Sequence, residues 1–357
     1  MIDLNKVYNN KNLHEVADFL KELDRRIGFK VSSRGWAYLM EDYGLKKSQF
    51  DRMETLINKC RKRGFLPVDF TAEESARAFH EVHTPSTGET HADFLARWLE
   101  YGYKCENWYD PDWWEGEEYY IQMIVEKIDL VTLFRPVCRD YHVPIANTKG
   151  WSSIMQRAEY ARRFKEAEEE GKTCVLLYCG DHDPDGLRIS ESLRKNIEDV
   201  SEIYWSGGRS GYDPENLIID RFGLNYDFII RNGLSWIENL ETGGKGHLAR
   251  VNEFGEIVQG RLKNGKPHPN FKMRYMQDYL RDVGVRKCEA NSLVAAPEAG
   301  RELCTEAIEK YLGPDALDRF EAKKEIEKAQ ILEIKEDLNI DERIKAIIKD
   351  LNDYDNE

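Results

Sequence analysis

Apolar positions recur at helical spacing three times within the first 64 residues. The stretches are LHEVADFLKELDRRIG (13–28), RGWAYLMEDYG (34–44) and SQFDRMETLINKCRKRG (48–64). Each stops at a glycine, which predicts three short helices ending at Gly28, Gly44 and Gly64. Ser48 and Asp51 stand in capping-box spacing at the start of the third. GFLPVDF then reads as an extended apolar piece. Three helices and an extended wing predict a winged-helix domain over residues 1–85.

Residues 86–118 read as an acidic connector with one helix, HADFLARWLEYG. From 119 the pattern changes. YYIQMIVEK is a strand, LVTLFRPVCRDY a helix, VPIANTKGW a short strand and IMQRAEYARRFKEAEEEG a long polar helix. TCVLLYCGD follows as a strand, LRISESLRKNIEDV as a helix and SEIYW as a last short strand. That β-α-β-α-β-α-β order predicts an α/β domain over 119–295, with a parallel sheet flanked by helices. Functional loops then belong at the strand C-termini, where Glu126 and Asp181 both fall. Residues 207–290 carry helical candidates at PENLIIDRFG and MRYMQDYLRDVG. The helical region 296–357 begins with AGRELCTEAIEKYLG and ends in a charged amphipathic helix or helix pair, either a solvated surface or a partner-binding coil.

Composition narrows the class. Hydrophobic residues at 41% and charged residues at 33% describe an ordinary globular chain. No apolar run approaches the roughly 18–20 residues that span a bilayer, and the N-terminus lacks a signal-peptide pattern. A cytoplasmic protein without membrane contact is expected. The seven cysteines are scattered without a CxxC pair, which predicts buried free thiols rather than disulfides or zinc. A net charge of −14 argues against generic nucleic-acid binding. The charge is uneven, however: residues 1–65 hold 14 basic and 9 acidic side chains, and residues 66–118 hold 3 and 13. Any DNA contact is therefore expected near the N-terminus, with Lys59, Arg61, Lys62 and Arg63 the candidates. The same cluster also suits a solvated helix C-terminus.

The densest chemistry is GDHDPDG, where Asp181, Asp183 and Asp185 are spaced two apart. An EF-hand loop needs a glutamate at its twelfth position, which here is Ser192, and it follows a helix rather than a strand. A calcium hand is excluded on those grounds. Instead, Asp181 and Asp183 at one strand end, with Glu126 closing a neighbouring strand, suit a hard cation such as Mg2+. Alternation sends the two aspartates one way and His182 the other. The plain alternative is an acidic turn capping the next helix.

Three separated motifs in order, Val125-Glu126-Lys127, Lys149-Gly150-Trp151 and GDHDPDG, resemble a Toprim domain. More narrowly they resemble the topoisomerase VI A subunit and its meiotic double-strand-break relatives, closest to free-standing homologues without the ATPase. The resemblance covers about 110–120 residues and implies Mg2+ on Glu126, Asp181 and Asp183. Asp185, which stands where the family usually has another residue type, and Lys149 are candidates for additional metal or phosphate contacts. In that family a winged-helix domain precedes the Toprim domain and carries a tyrosine in an R-x-x-x-Y context. Arg34 and Tyr38 stand in the matching place, with Gly35 inside the helix as a departure. The helical register puts Trp36, Leu39, Met40 and Tyr43 on a core stripe and Tyr38 on the polar side near Arg34, Glu41 and Asp42.

The resemblance implies a type IIB topoisomerase-like enzyme, an isomerase of DNA topology. Tyr38 would attack double-stranded DNA to form a phosphotyrosyl link, with Arg34 holding the phosphate. The family's tyrosine meets the metal site of the other protomer, which implies a homodimer making paired cuts. No GHKL-type ATP-binding pattern is present in this sequence, so strand passage would need a separate B-like ATPase subunit. Two alternatives remain open: a Toprim nuclease that hydrolyses nucleic acid with metal-activated water, and a non-catalytic DNA-binding assembly subunit.

Overall fold

A computed structural model describes residues 12–67, 69–72, 90–148, 154–203, 211–240 and 246–354. The chain divides into two units, residues 1–74 with 118–311 and residues 75–117 with 312–357.

The first unit opens with three helices, α1 (Leu13–Ile27), α2 (Ser33–Leu39) and α3 (Phe50–Lys62). A 3-10 turn carries the second on to Tyr43, and Gly28, Gly44 and Gly64 end the runs as expected. Their shared core joins Val16 and Leu20 of α1, Trp36 and Met40 of the second helical run, and Met53, Leu56 and Ile57 of α3. Phe70 stacks on Trp36 with ring centroids 4.9 Å apart. Among the described residues no strand lies between α3 and the next helix, which begins at His91, and Val68 of the expected wing lies outside them. The expected Ser48 cap is not made. Ser48 lies within a 3-10 turn, Lys47–Gln49, and Gln49 Oε1 instead accepts from the Lys46 amide at 3.0 Å.

After α4 (His91–Tyr103), which belongs to the second unit, the chain builds a parallel sheet. Its elements are β1 (Tyr119–Val125), α5 (Ile128–Asp140), β2 (Ile145–Asn147), α6 (Ile154–Glu169), β3 (Thr173–Cys179), α7 (Ile189–Glu198) and β4 (Ile218–Gly223). The strand order is β2-β1-β3-β4, parallel throughout, with Val125 in register with both Asn147 and Cys179. All but the first residue of β1 and of β3 is buried. Continuous apolar strands of this kind are what a sheet covered on both faces requires.

The fourth strand departs from expectation. It is Ile218–Gly223, within the stretch expected to be helical, while Ser201–Ile203 of the expected SEIYW strand are turn and coil. Leu217, Ile218 and Phe222 mimic helical spacing, but the β-branched pair Ile218-Ile219 suits the open edge of β3.

The unit continues through α8 (Tyr226–Arg231), an antiparallel hairpin of β5 (Ala249–Val251) and β6 (Ile257–Gln259), α9 (Arg274–Asp282) and α10 (Pro297–Leu312). Six cysteines are buried free thiols and Cys105 is exposed.

In the second unit, α4 packs against α12 (Ile340–Tyr354), which follows α11 (Ala316–Asp337). The C-terminal region is thus a helix pair. Lys335 is buried between Glu106, at 2.8 Å, and Asp341, at 2.9 Å. Trp113 packs on Phe320 at 4.5 Å. Among the described residues no helix is long and apolar enough to cross a membrane.

Candidate functional site

β1 and β3 lie side by side in parallel, so residues just beyond Val125 and Cys179 emerge together at one edge of the sheet. Glu126 and Asp181 occupy those positions. One Glu126 oxygen, Oε2, accepts from the Asp181 amide at 2.7 Å and from the Tyr178 hydroxyl at 3.4 Å. The turn between them must be bare at Gly180, because a Cβ there would stand 2.8 Å from Glu126 Oε2 and collide with the Tyr178 hydroxyl. Glycine is required by this close approach.

Lys127 fills the space between the carboxylates. Its ammonium lies 2.5 Å from Glu126 Oε1 and 3.2 Å from Asp181 Oδ2. Burial opposes its charge, but Asp181 and Glu126 outweigh it and hold the lysine firmly protonated. Burial also pushes Glu126 up, yet Lys127 and the Asp181 amide more than reverse this and keep it ionised. Asp181, 6% exposed, goes the other way. Burial and then the charge of Glu126 push it up to about 7, against Lys127 and the Ala290 amide. That amide donates to Asp181 Oδ1 at 2.8 Å.

Asp183 shares a cavity of about 800 Å³ with Glu126, Asp185, Arg188, Ser192 and Tyr275. Burial raises its carboxyl above the usual range, partly offset by the Gly186 amide, which donates to Oδ1 at 2.6 Å. Asp183 therefore caps the turn into α7 as well as facing the cavity. Asp185 is exposed and accepts from the Tyr275 hydroxyl at 3.4 Å. His182 points away from the cavity, as alternation predicts. Its Nδ1 lies 2.9 Å from the Leu224 carbonyl oxygen, and its ring lies among Tyr226, Trp236 and Tyr279. Lys149 and the Lys149-Gly150-Trp151 turn lie outside the described residues.

The donor set fits a hard cation in kind. It is oxygen-only, sits at strand ends, and already draws a cationic group, Lys127, between two of its members. Among the described residues, no three carboxylate, histidine or cysteine side chains yet converge at metal-holding distances. A divalent ion would therefore have to displace Lys127 and draw Asp183 in.

Tyr38 is not on an exposed polar face. It is 1% exposed, because α2 is enclosed on two sides, by α3 and by the 3-10 turn Ala290–Ala295. Register identifies a polar face only where one side of a helix is free. The phenol packs edge-on to Phe50 at 4.9 Å, with the Lys47 ammonium 4.6 Å from its ring centroid. Its hydroxyl donates to Glu289 Oε2. Burial and then the Glu289 charge push the phenol far above its usual value. Burial pushes Glu289 up too, but the Tyr38 hydroxyl and Lys287 hold it below the usual range. Arg34 stands one turn before Tyr38 on α2, and both pack against Phe50. Its guanidinium lies over the Phe50 ring at 4.8 Å and pairs with Glu54 and Asp51 at 3.4 and 3.5 Å.

α2 is fixed to α5 at its first turn. Ser32 caps it through the Gly35 amide, and the Ser32 amide and hydroxyl both donate to buried Asp129 at 2.5 Å. Gly35 is small for the same reason, since a Cβ would press on Val31 and come within 2.9 Å of Asp129. Of the basic cluster, Lys59, Lys62 and Arg63 are exposed at the end of α3, and Arg61 donates to Asn58 at 3.2 Å.

Sequence reasoning missed Lys127, Glu289 and Arg221. Arg221, on β4, donates to the carbonyls of Gly186, Asp181 and Leu224 at 3.0, 3.2 and 2.8 Å, clamping the aspartate turn from below. Lys127 stood in plain view beside Glu126. Arg221 stands beside Asp220 in a stretch expected to be helical, where no local signal marked it. Glu289 lies 251 residues from Tyr38 and carried no local signal. Comparison with protein families, curated proteins and solved structures finds no match to this chain.

Proposed function

We propose that the chain is a Mg2+-dependent DNA-cleaving protein of the topoisomerase VI A-subunit kind, working in the cytoplasm as a homodimer. One observation carries the reading. Glu126 and Asp183, from the ends of two neighbouring parallel strands, face one cavity beside the buried carboxylate of Asp181. The parallel sheet supports a Toprim character for residues 119–295, and the three packed helices support a winged-helix character for residues 1–85. A separate GHKL-type ATPase subunit belongs to the same proposal.

Glu126, Asp181 and Asp183 would hold the Mg2+, which would supply positive charge against the scissile phosphate and its leaving oxygen. Tyr38 is the nucleophile. Its phenolic oxygen bonds to a backbone phosphorus, and the bond from that phosphorus to a deoxyribose oxygen breaks. On leaving its pocket Tyr38 gives up the hydrogen bond to Glu289, and its proton passes to solvent as the new bond forms. The leaving oxygen takes up one proton, so charge balances. Tyr38 must first turn out of its pocket, because buried beside a carboxylate it holds its proton tightly.

That burial favours a second reading, in which Tyr38 only packs and water hydrolyses the phosphodiester at the same carboxylates. The deciding experiment incubates purified protein, Mg2+ and supercoiled DNA, then stops with SDS. The first reading expects protein-linked DNA ends that Tyr38→Phe abolishes. Free ends that survive Tyr38→Phe but vanish in Asp181→Ala establish hydrolysis instead. DNA binding without cleavage under any divalent metal overturns both in favour of an assembly subunit.

A further inference from the structure

On a chain of net charge −14, residues 246–274 hold six lysines and arginines against two glutamates. The segment is a small meander. β5 pairs with β6 antiparallel, Arg250 opposite Val258, and isolated bridges Gly246–Leu262 and Arg261–Pro267 extend the ladder. Arg250, Arg261, Lys263, Lys266, Lys272 and Arg274 are all exposed. Several basic groups elsewhere on the surface are tied down, as Arg162 is by Glu159 and Glu166 and Arg281 by Asp278 and Asp282. Of these six, among the described residues, only Arg274 comes within ion-pair reach of an acid, 4.0 Å from Asp278. Concentrated, unneutralised positive charge costs self-repulsion unless a polyanion balances it.

The hairpin tip adds a ring. Phe254 is 85% exposed, on a turn held by Asn252 Oδ1, which accepts from the amides of Phe254 and Glu256 at 3.0 and 2.9 Å. The meander is also bound to the candidate site. Leu248 and Ala249 share a core with Met276, Tyr279 and Leu280 of α9. From α9, the Tyr279 hydroxyl donates to the His182 carbonyl at 3.0 Å and the Tyr275 hydroxyl reaches Asp185 at 3.4 Å. Arg188 stacks on Tyr275 at 4.5 Å, and both line the cavity.

We propose that this meander is the surface that receives duplex DNA. Its six basic side chains take backbone phosphates, Phe254 seats against the groove, and the duplex runs past Arg274 and Tyr275 to the Glu126–Asp183 cavity. The assignment rests on the reading of that cavity as a DNA-cleaving site. It also moves the main DNA contact away from the α3 cluster at Lys59–Arg63. The ligand chemistry favours nucleic acid over an anionic membrane because six basic side chains lie along the ladder and outnumber its exposed apolar ones, Val251, Phe254, Ile257 and Met273.

The test measures binding of a fluorescent duplex to the full-length protein by anisotropy across a salt series. Lys263→Gln/Lys266→Gln lies in an exposed turn away from any core. It should weaken binding roughly five-fold or more and lower the slope of log K against log salt by about 0.9 for each phosphate no longer neutralised, near two in all. Phe254→Ala should weaken binding with the slope unchanged. Lys21→Gln/Arg25→Gln on α1, an equal charge change elsewhere, should leave the slope as it is. Unchanged binding in the turn variant, or equal loss in the α1 control, overturns the proposal. So does binding to phosphatidylserine vesicles, but not duplex, that depends on Lys263 and Lys266. Cleavage retained with turn-variant affinity unchanged sinks this surface and leaves the cavity reading intact. Meander-dependent binding without cleavage does the reverse.

Discussion

Tyr38 and Asp181 are held by consecutive residues: Glu289 accepts the Tyr38 hydroxyl, and the Ala290 amide donates to the Asp181 carboxylate. The candidate nucleophile and a candidate metal ligand are thus fastened to one peptide unit, although 143 positions separate them in the chain. A hydrogen bond to a charged acceptor is worth about 1.5–3 kcal/mol. A double-mutant cycle of Tyr38→Phe and Glu289→Gln should therefore show a coupling energy of about 1–3 kcal/mol in urea unfolding. Additive losses would mean that the two side chains do not interact.

Lys127 neutralises two carboxylates that would otherwise repel each other. Lys127→Met should lower the melting temperature of the metal-free protein and enlarge the upward shift caused by millimolar Mg2+, read by scanning fluorimetry. An equal Mg2+ shift in wild type and variant would show that the lysine and the ion do not compete.

Asp181 makes a pH prediction with a definite sign. Its folded pKa of about 7 lies above the ordinary aspartate value of 3.8, so between those values the native state holds a proton that the unfolded state has released. Its contribution to stability is complete below pH about 4 and is lost as pH rises through 7. Asp181→Asn should flatten the stability profile of the metal-free protein between pH 4 and 7. An unchanged slope in that window would assign the titration elsewhere.

The contact between α2 and α5 leaves no room at Gly35. Gly35→Ala should cost about 1–3 kcal/mol, as overpacking usually does. Asp129→Asn should cost a similar amount, because an amide cannot accept both Ser32 bonds as a carboxylate does. Chemical denaturation measures both, and a neutral Gly35→Ala would mean that Val31 and Asp129 yield freely.

The sequence made the sheet legible where its signals are local. Apolar runs ending in Glu126 and Asp181 are enough to place both acids at neighbouring strand ends. β4 was misread because Leu217, Ile218 and Phe222 satisfy two periodicities, and only the open edge of β3 decides between them. Tyr38 was misplaced for a different reason. Its helix is covered on two sides, one of them by residues some 250 positions away, and helical register alone cannot reveal a second wall. Glu289 stayed hidden for the same cause.

The second unit carries a consequence in time. α4 packs on α12, yet more than two hundred residues separate Tyr103 from Ile340. At about 5–20 residues per second, a ribosome needs on the order of 10–50 s to cover that interval. During synthesis α4 stands without its partner helix, with Ala92 and Ala96 uncovered beside the already exposed Phe94, Leu95 and Trp98. An early-made helix is completed last, and the nascent chain carries a bare aromatic face through most of its own translation.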